Sequence, residues 1–400
     1  MHDFVMEDMA HRRFMEAELM DEFGRFGFLP VETPVVEYAA TFAQGIHQDD
    51  EERMYRMFDA TGRTLALRPE MTAAVARLAA TTLGDDPLPL RLCYWAKTYR
   101  AEGGRVHDRA EVTQAGVELL GVRGVEADAE VIAVMVSSLR RLGLREFRLA
   151  VGHSGYVRSM LRSLPDVLRA ELRRALIEKD LVAYERALAG GRGSADEADL
   201  EKLSALPHVR GGAEAVVAAR SAALHDGARA ACDELDALWG ALREHGVDEF
   251  VRLDMGLYLH HEYYTGVVIE GYADLLGYPI CFGGRYDRLL EQFGRPAPAT
   301  GCVLHIERLM AIVEPRSGRP NGVRLRYAEP ARSAAYGFAR FLRECGRAVA
   351  VDALDGAPGT AGAAADGVVI TLGADGRAVA DEKWLRLYEQ YLQKEGDSPC

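Results

Sequence analysis

The chain has 400 residues, 48% hydrophobic and 27% charged, the composition of a globular protein with two or three domains and a sizeable core. No run of about 18 apolar residues is present, which excludes a helical membrane span, and Asp3, Glu7, Asp8 and Glu16 break up the N-terminus as a secretory leader. Acidic side chains outnumber basic ones 61 to 48, a net charge of −13 that favours solubility and counts against a nucleic-acid surface. The six cysteines (Cys93, Cys232, Cys281, Cys302, Cys345, Cys400) are scattered without a Cys-x-x-Cys pair. Structural zinc and a disulfide framework are therefore not expected, and reduced thiols in a cytoplasmic protein are.

Residues 4–27 carry apolar side chains at helical spacing (Phe4, Met9, Phe14, Leu19, Phe23, Phe26), and Gly27 closes that helix. Pro30 and Pro34 bracket an extended segment reaching Tyr38. Arg68-Pro69-Glu70 leads into a helix over 71–81, with Glu70 at its positive end. Residues 92–102 and 111–120 read as a hairpin joined by the polar loop 103–110. Alternation puts Arg100 with Glu102 on one face of the first strand, and Gln114 with Glu118 on one face of the second. A helix over 127–142 and a strand over 146–151 follow. Residues 154–247, rich in Ala, Arg and Leu, read as a helical insertion broken at Gly190-Gly191-Arg192-Gly193. Strands are expected at 251–255 and 263–272, then a tight turn at Gly283-Gly284-Arg285 feeding a helix, and a strand-helix unit over 301–313. Residues 315–322 form a Pro/Gly-rich linker. Beyond it come a helix at 331–345, strands at 347–352 and 367–373, and a last helix at 380–394.

Four segments, in order, resemble the histidyl-tRNA synthetases of class II. They are Arg68-Pro69-Glu70-Met71-Thr72; Tyr99-Arg100-Ala101-Glu102 with Gln114 to Glu118; Leu257 to Gly266, containing Glu262, Tyr263 and Tyr264; and Gly301 to Arg308. The resemblance spans residues 4–314. It implies an α+β fold: a class II synthetase-like antiparallel sheet flanked by helices, residues 1–314, with the helical insertion at about 154–247. A small α/β module over 323–400 follows the linker. It also implies a histidine site. Glu70, Thr72 and Gln114 would meet the α-amino group, Arg100 the carboxylate, and Glu118 with Tyr263 or Tyr264 the imidazole.

Each element has a plainer reading. An Arg-x-Glu on a strand is by itself a surface ion pair, and Glu70 and Thr72 could serve only their helix terminus. On regular strand backbone, adjacent Tyr263 and Tyr264 face opposite sides, so one ring at most would line a pocket. His260-His261-Glu262 lacks metal-ligand spacing, and no metal or cofactor is expected.

The departures from the synthetase pattern fall on nucleotide and chemistry. Leu259 stands where the family's signature arginine would stabilise charge at the α-phosphate. His305 replaces a motif 3 glycine, and Asp108, between Arg105 and Arg109, occupies a basic position of the motif 2 loop. Retained amino-acid contacts with lost catalytic cations resemble the regulatory subunits of ATP phosphoribosyltransferase, which act in the first step of histidine biosynthesis. That resemblance implies no catalysis by this chain, a short-form catalytic subunit as partner, a dimer core within a hetero-octamer, and histidine as feedback effector, with no tRNA. The alternatives are an active histidyl-tRNA synthetase and a synthetase-like module that binds tRNA without charging it.

Overall fold

The computed structural model describes residues 3–43, 51–101, 109–259, 263–315, 322–354 and 368–393. The chain divides into two compact units, one holding Arg12–Pro315 and the other the C-terminal residues. Helix α1 (Met6–Arg25) buries Met15, Leu19 and Phe23, one per turn. It gives way at Gly27, whose φ of +80° suits glycine. Strand β1 is Leu29–Pro30. A small sheet then forms from β2 (Val36–Tyr38), β3 (Arg56–Phe58) and β4 (Thr64–Leu67), in the order β2-β4-β3. Helix α2 (Ala39–Ala43) lies between β2 and β3 in the chain, and helix α3 (Thr72–Ala80) follows β4.

The main sheet comprises β1 with β5 (Leu90–Tyr99), β6 (Glu111–Leu120), β7 (Phe147–His153), β8 (Arg210–Gly211), β9 (Val251–Asp254), β10 (Val267–Ala273), β11 (Cys281–Arg285) and β12 (Ala299–His305). Its order is β1-β5-β6-β12-β11-β10-β7-β9-β8. From β5 to β7 every neighbour is antiparallel, while β1–β5 and β7–β9 are parallel. The β5–β6 hairpin lies where alternation placed it, though its first strand stops at Tyr99. In β6, Ala115, Val117 and Leu119 join the large core with α1 and α4 (Val125–Arg141). Gln114, Gly116, Glu118 and Leu120 therefore take the opposite face. There, Leu120 packs with Met71, Val75 and Ala76 around α3.

Parallel β7 and β9 cannot be joined by a hairpin and need a crossover. The insertion supplies it, as α5 (Ser154–Met160), α6 (Asp166–Glu178), α7 (Leu181–Gly190), α8 (Glu197–Ala205), α9 (Ala213–Ala222) and α10 (Asp226–Glu244). Helix α7 ends at the glycine break. The segment is not helical throughout, because β8 pairs Arg210 with Asp254 at the sheet edge.

Two further expectations need correction. Gly283, Gly284 and Arg285 form strand β11, not a tight turn. A Cβ at Gly283 would lie 2.6 Å from the Gly301 carbonyl oxygen, and one at Gly284 2.6 Å from that of Val267, so the glycines serve close strand approach. Tyr263 and Tyr264 precede β10, whose first residue is Val267.

Helix α11 (Ile306–Met310) closes the first unit. The second contains β13 (Val323–Tyr327), α12 (Arg332–Glu344), β14 (Val349–Ala353), β15 (Val368–Leu372), β16 (Ala378–Val379) and α13 (Glu382–Gln393), with sheet order β14-β13-β15-β16. Sequence reading missed β13, the strand between β14 and β15, although Val323, Leu325 and Tyr327 alternate cleanly as buried residues. Most of the expected linker, 316–321, lies outside the described residues.

Cys93, Cys232, Cys281 and Cys302 are buried free thiols. Cys345 is disulfide-bonded, contrary to the expectation of reduced thiols throughout. Sequence spacing carries no information on which Cβ atoms meet in space. No helix among the described residues is long and apolar enough to cross a membrane.

Candidate functional site

The α3 face of the main sheet concentrates polar groups around Glu118, which is 1% exposed. Its Cα partners across the sheet are Leu92 on β5 and Gly301 on β12. A Cβ at Gly301 would sit 1.8 Å from Glu118 Oε2, and one at Gly116 would sit 2.5 Å from the Tyr94 hydroxyl oxygen. The two glycines thus make room for a carboxyl group and a phenol inside an otherwise close-packed layer.

Three hydroxyls converge on this carboxyl group. Thr72 Oγ1 donates to Oε1 at 3.0 Å, the Tyr94 hydroxyl to Oε1 at 3.4 Å, and the Tyr286 hydroxyl to Oε2. Burial, helped by the nearby charge of Glu70, pushes the Glu118 pKa from its ordinary 4.5 up to about 8 against the opposing pull of these donors. At neutral pH such a group is largely protonated, and it can either donate a hydrogen bond to a ligand nitrogen or ionise toward a cation.

Glu70, also buried, accepts from the backbone N–H groups of Thr72 at 3.1 Å and Ala73 at 2.7 Å. Its carboxylate therefore satisfies donors that open α3, the plainer of its two readings, and the same geometry fixes it beside Thr72 and Glu118. Arg68 has a structural part: its guanidinium donates to the carbonyls of Lys97 at 2.7 Å and Thr33 at 2.6 Å. Arg100 Nε donates to the Pro69 carbonyl at 2.9 Å, tying the end of β5 to the approach to α3.

Tyr263 and Tyr264 depart from the expectation drawn from strand alternation. They occupy a turn and loop, so both rings enter the same apolar cluster, with centroids 4.8 Å apart and planes tilted by 60°. Tyr263 also meets Tyr286 edge-on, at 5.9 Å and 74°. Burial raises the phenol pKa of Tyr94, Tyr263, Tyr264 and Tyr286, which keeps all four hydroxyls protonated. Leu259 packs against this cluster and presents only hydrocarbon to it.

Gln114 is buried and pairs with His305 of β12 and Ala96 of β5. His305 meets the Phe282 ring edge-on at 5.2 Å. Burial, together with Arg308 and Arg100, drives its pKa well below the ordinary value, so it is neutral. Arg308 donates to the Pro279 carbonyl at 2.6 Å and lies over the rings of Tyr278 at 5.2 Å and Phe282 at 5.9 Å.

Six of the seven residues singled out for a histidine site (Glu70, Thr72, Gln114, Glu118, Tyr263, Tyr264) lie on α3's N-terminus, the facing side of β6, or the loop before β10. Arg100 borders the same region through Pro69. Sequence reasoning missed Tyr94 and Tyr286. Tyr94 shares the even-numbered face of β5 with Leu92 and Ala96, so alternation could have found it; Tyr286 was hidden by reading residues 283–285 as a turn. Glu102, Arg105 and Asp108 lie outside the described residues, as do His260, His261 and Glu262. Among the described residues, no group of three or more His, Cys, Asp or Glu is arranged to hold a metal.

Residues 1–309 match the family model described as histidyl-tRNA synthetase. A curated relative from Moorella thermoacetica, named ATP phosphoribosyltransferase regulatory subunit, is 42% identical over 315 residues, covering 77% of this chain and 79% of its own. A relative of the same name from Symbiobacterium thermophilum is 40% identical over 361 residues, covering 88% of this chain and 90% of its own. Among solved structures, the chain is similar to one from Bacillus halodurans titled ATP phosphoribosyltransferase regulatory subunit/histidyl-tRNA synthetase. The TM-score is 0.82 at 36% identity, over 90% of this chain and 92% of that one.

Proposed function

Because the chain belongs to the histidyl-tRNA synthetase-like family of ATP phosphoribosyltransferase regulatory subunits, we propose that it regulates a short-form catalytic subunit without catalysing a reaction itself, and that histidine is its effector. The observation that carries the effector reading is the Glu118 cluster: a buried carboxyl ringed by Thr72, Tyr94 and Tyr286, beside the helix-fixed Glu70. In this reading the α-amino group of histidine meets Glu70, Thr72 and Gln114, and its carboxylate meets Arg100. The imidazole exchanges hydrogen bonds with Glu118 between the rings of Tyr263 and Tyr264.

The absence of catalysis is supported by the chemistry of the adjacent positions. Transition-state charge at a phosphate needs preorganised cations. Leu259 offers hydrocarbon at the signature position, and Arg308 is engaged with the Pro279 carbonyl and two aromatic rings. Cytoplasmic location and assembly of a dimer core into a hetero-octamer belong to the same proposal.

Feedback requires histidine to favour an inactive arrangement of the complex. A coupling of about 1–3 kcal/mol gives a roughly 5- to 150-fold effect, and the catalytic subunit's substrates must then weaken histidine binding by the same factor. The test is co-expression with a short catalytic subunit, followed by co-purification and activity assay. Stable association with histidine-sensitive activity is expected. Charging of tRNA with histidine at synthetase-like rates would contradict the reading and establish the active synthetase.

A further inference from the structure

A cavity of about 450 Å³ lies between the insertion and the far end of the main sheet, bounded by α6, α7, β8, β9 and β10. It is on β10, three strands from Glu118 in the sheet order, and its Ala150 and Leu257 also pack with the apolar cluster around α3. Its volume falls in the range of small-molecule sites, and Ala150, Leu176 and Leu257 give it apolar walls.

Polar groups are gathered at two points on these walls. At the first, the Tyr272 hydroxyl donates to Glu270 Oε2 at 2.8 Å, and Lys179 Nζ donates to both of these groups while lying 4.9 Å from the Tyr272 ring centroid. Glu270 is 4% exposed. Lys179 reaches this position from the end of α6 in a left-handed conformation, φ +57°, which is costly for a residue with a side chain. At the second, Arg210 Nε pairs with Asp254 Oδ2 at 2.9 Å, and the exposed Arg252 donates from Nη1 to the Val251 carbonyl at 2.8 Å. Arg252 also faces the carboxylate of Glu214 closely enough to help lower its pKa. In a chain of net charge −13, this cavity collects three cations against two carboxyl groups.

We propose that the cavity is a second ligand site, for a small organic anion with an apolar body. The anionic group would meet the forked donors of Arg252 and Arg210, which suit carboxylate or phosphate geometry. The apolar body would rest on Leu176 and Leu257, and a hydroxyl or amine at its far end would donate to Glu270. The Arg210–Asp254 and Lys179–Glu270 pairs hold the cations in place before the ligand arrives, which lowers the ordering cost of binding.

The test is calorimetric titration of the full chain with phenyl phosphate, inorganic phosphate and phenol as separate probes, with histidine titrated in parallel. Phenyl phosphate should saturate one site per chain, about tenfold or more tighter than either half-probe, because charge and apolar contact act together. Arg252→Ala, at an exposed position that does not threaten folding, should weaken phenyl phosphate about fivefold or more. Leu181→Trp, at the partly exposed mouth, should block it by filling the entrance. Histidine binding should be unchanged in both variants. Absence of saturable phenyl phosphate binding, or unaltered affinity in both variants, would overturn the proposal. A parallel loss of histidine affinity would overturn the claim of a separate site.

Discussion

Glu118 sets the charge state of the candidate pocket, and its buried position has a consequence for stability. The unfolded chain ionises this carboxyl near its ordinary 4.5, whereas the folded chain holds it protonated up to about pH 8. Its contribution is therefore fully present below pH 4.5 and is lost as pH rises through 8. Glu118→Gln keeps the shape but cannot ionise. The variant should gain stability relative to the parent on going from pH 5 to 9, on the order of 3–5 kcal/mol, read as the difference between two melting curves. A difference constant with pH would show that Glu118 is ionised in the fold. Gly301 poses the converse case of too little space. Gly301→Ala places a methyl group 1.8 Å from Glu118 Oε2 and 2.7 Å from the Val117 carbonyl oxygen. We expect a loss of about 1–3 kcal/mol by denaturant titration, because β6 and β12 are too closely paired to yield freely.

Among the elements, α3 joins helix capping to the candidate ligand contact. Glu70→Ala removes the acceptor for the Thr72 and Ala73 N–H groups, which should cost about 0.5–2 kcal/mol of stability. It should also weaken histidine, as measured by calorimetry on the folded variant, by about tenfold or more through loss of a charge-assisted hydrogen bond. Unchanged affinity would leave Glu70 with the helix terminus alone. The β5–β6 hairpin was legible in the sequence because apolar and polar residues alternate along β6, which fixes the residues that share a face. Alternation failed at Tyr263-Tyr264 because aromatic pairs have strand propensity wherever they stand, and only tertiary packing turns both rings to one side. The tight turn expected at Gly283-Gly284 failed for a different reason: there the glycines report strands approaching closely instead of the chain reversing. Strand β13 carried no expectation, although its period of two is plain once Val323, Leu325 and Tyr327 are seen to share the small core.

For the whole molecule, sequence motifs sufficed to place four distant segments in one family, and the family-model match over residues 1–309 agrees with the extent of that resemblance. What they could not reveal was which phenols close around Glu118. Tyr94 and Tyr286 lie 192 positions apart, and their convergence on one carboxyl depends on the sheet order β5-β6-β12-β11, which no local pattern encodes. The cavity under the insertion was equally invisible, since its cations come from the end of α6 and from β8 and β9. We propose that this chain confers histidine control on a separate catalytic subunit. The most direct test is the initial rate of ATP phosphoribosyltransferase reaction by a short catalytic subunit alone, with this chain, and with this chain plus histidine. The rate should rise on adding this chain and fall about 5-fold or more when histidine is added, with the fall abolished by Glu70→Ala. A rate indifferent to this chain, or one that histidine lowers equally without it, would contradict the claim.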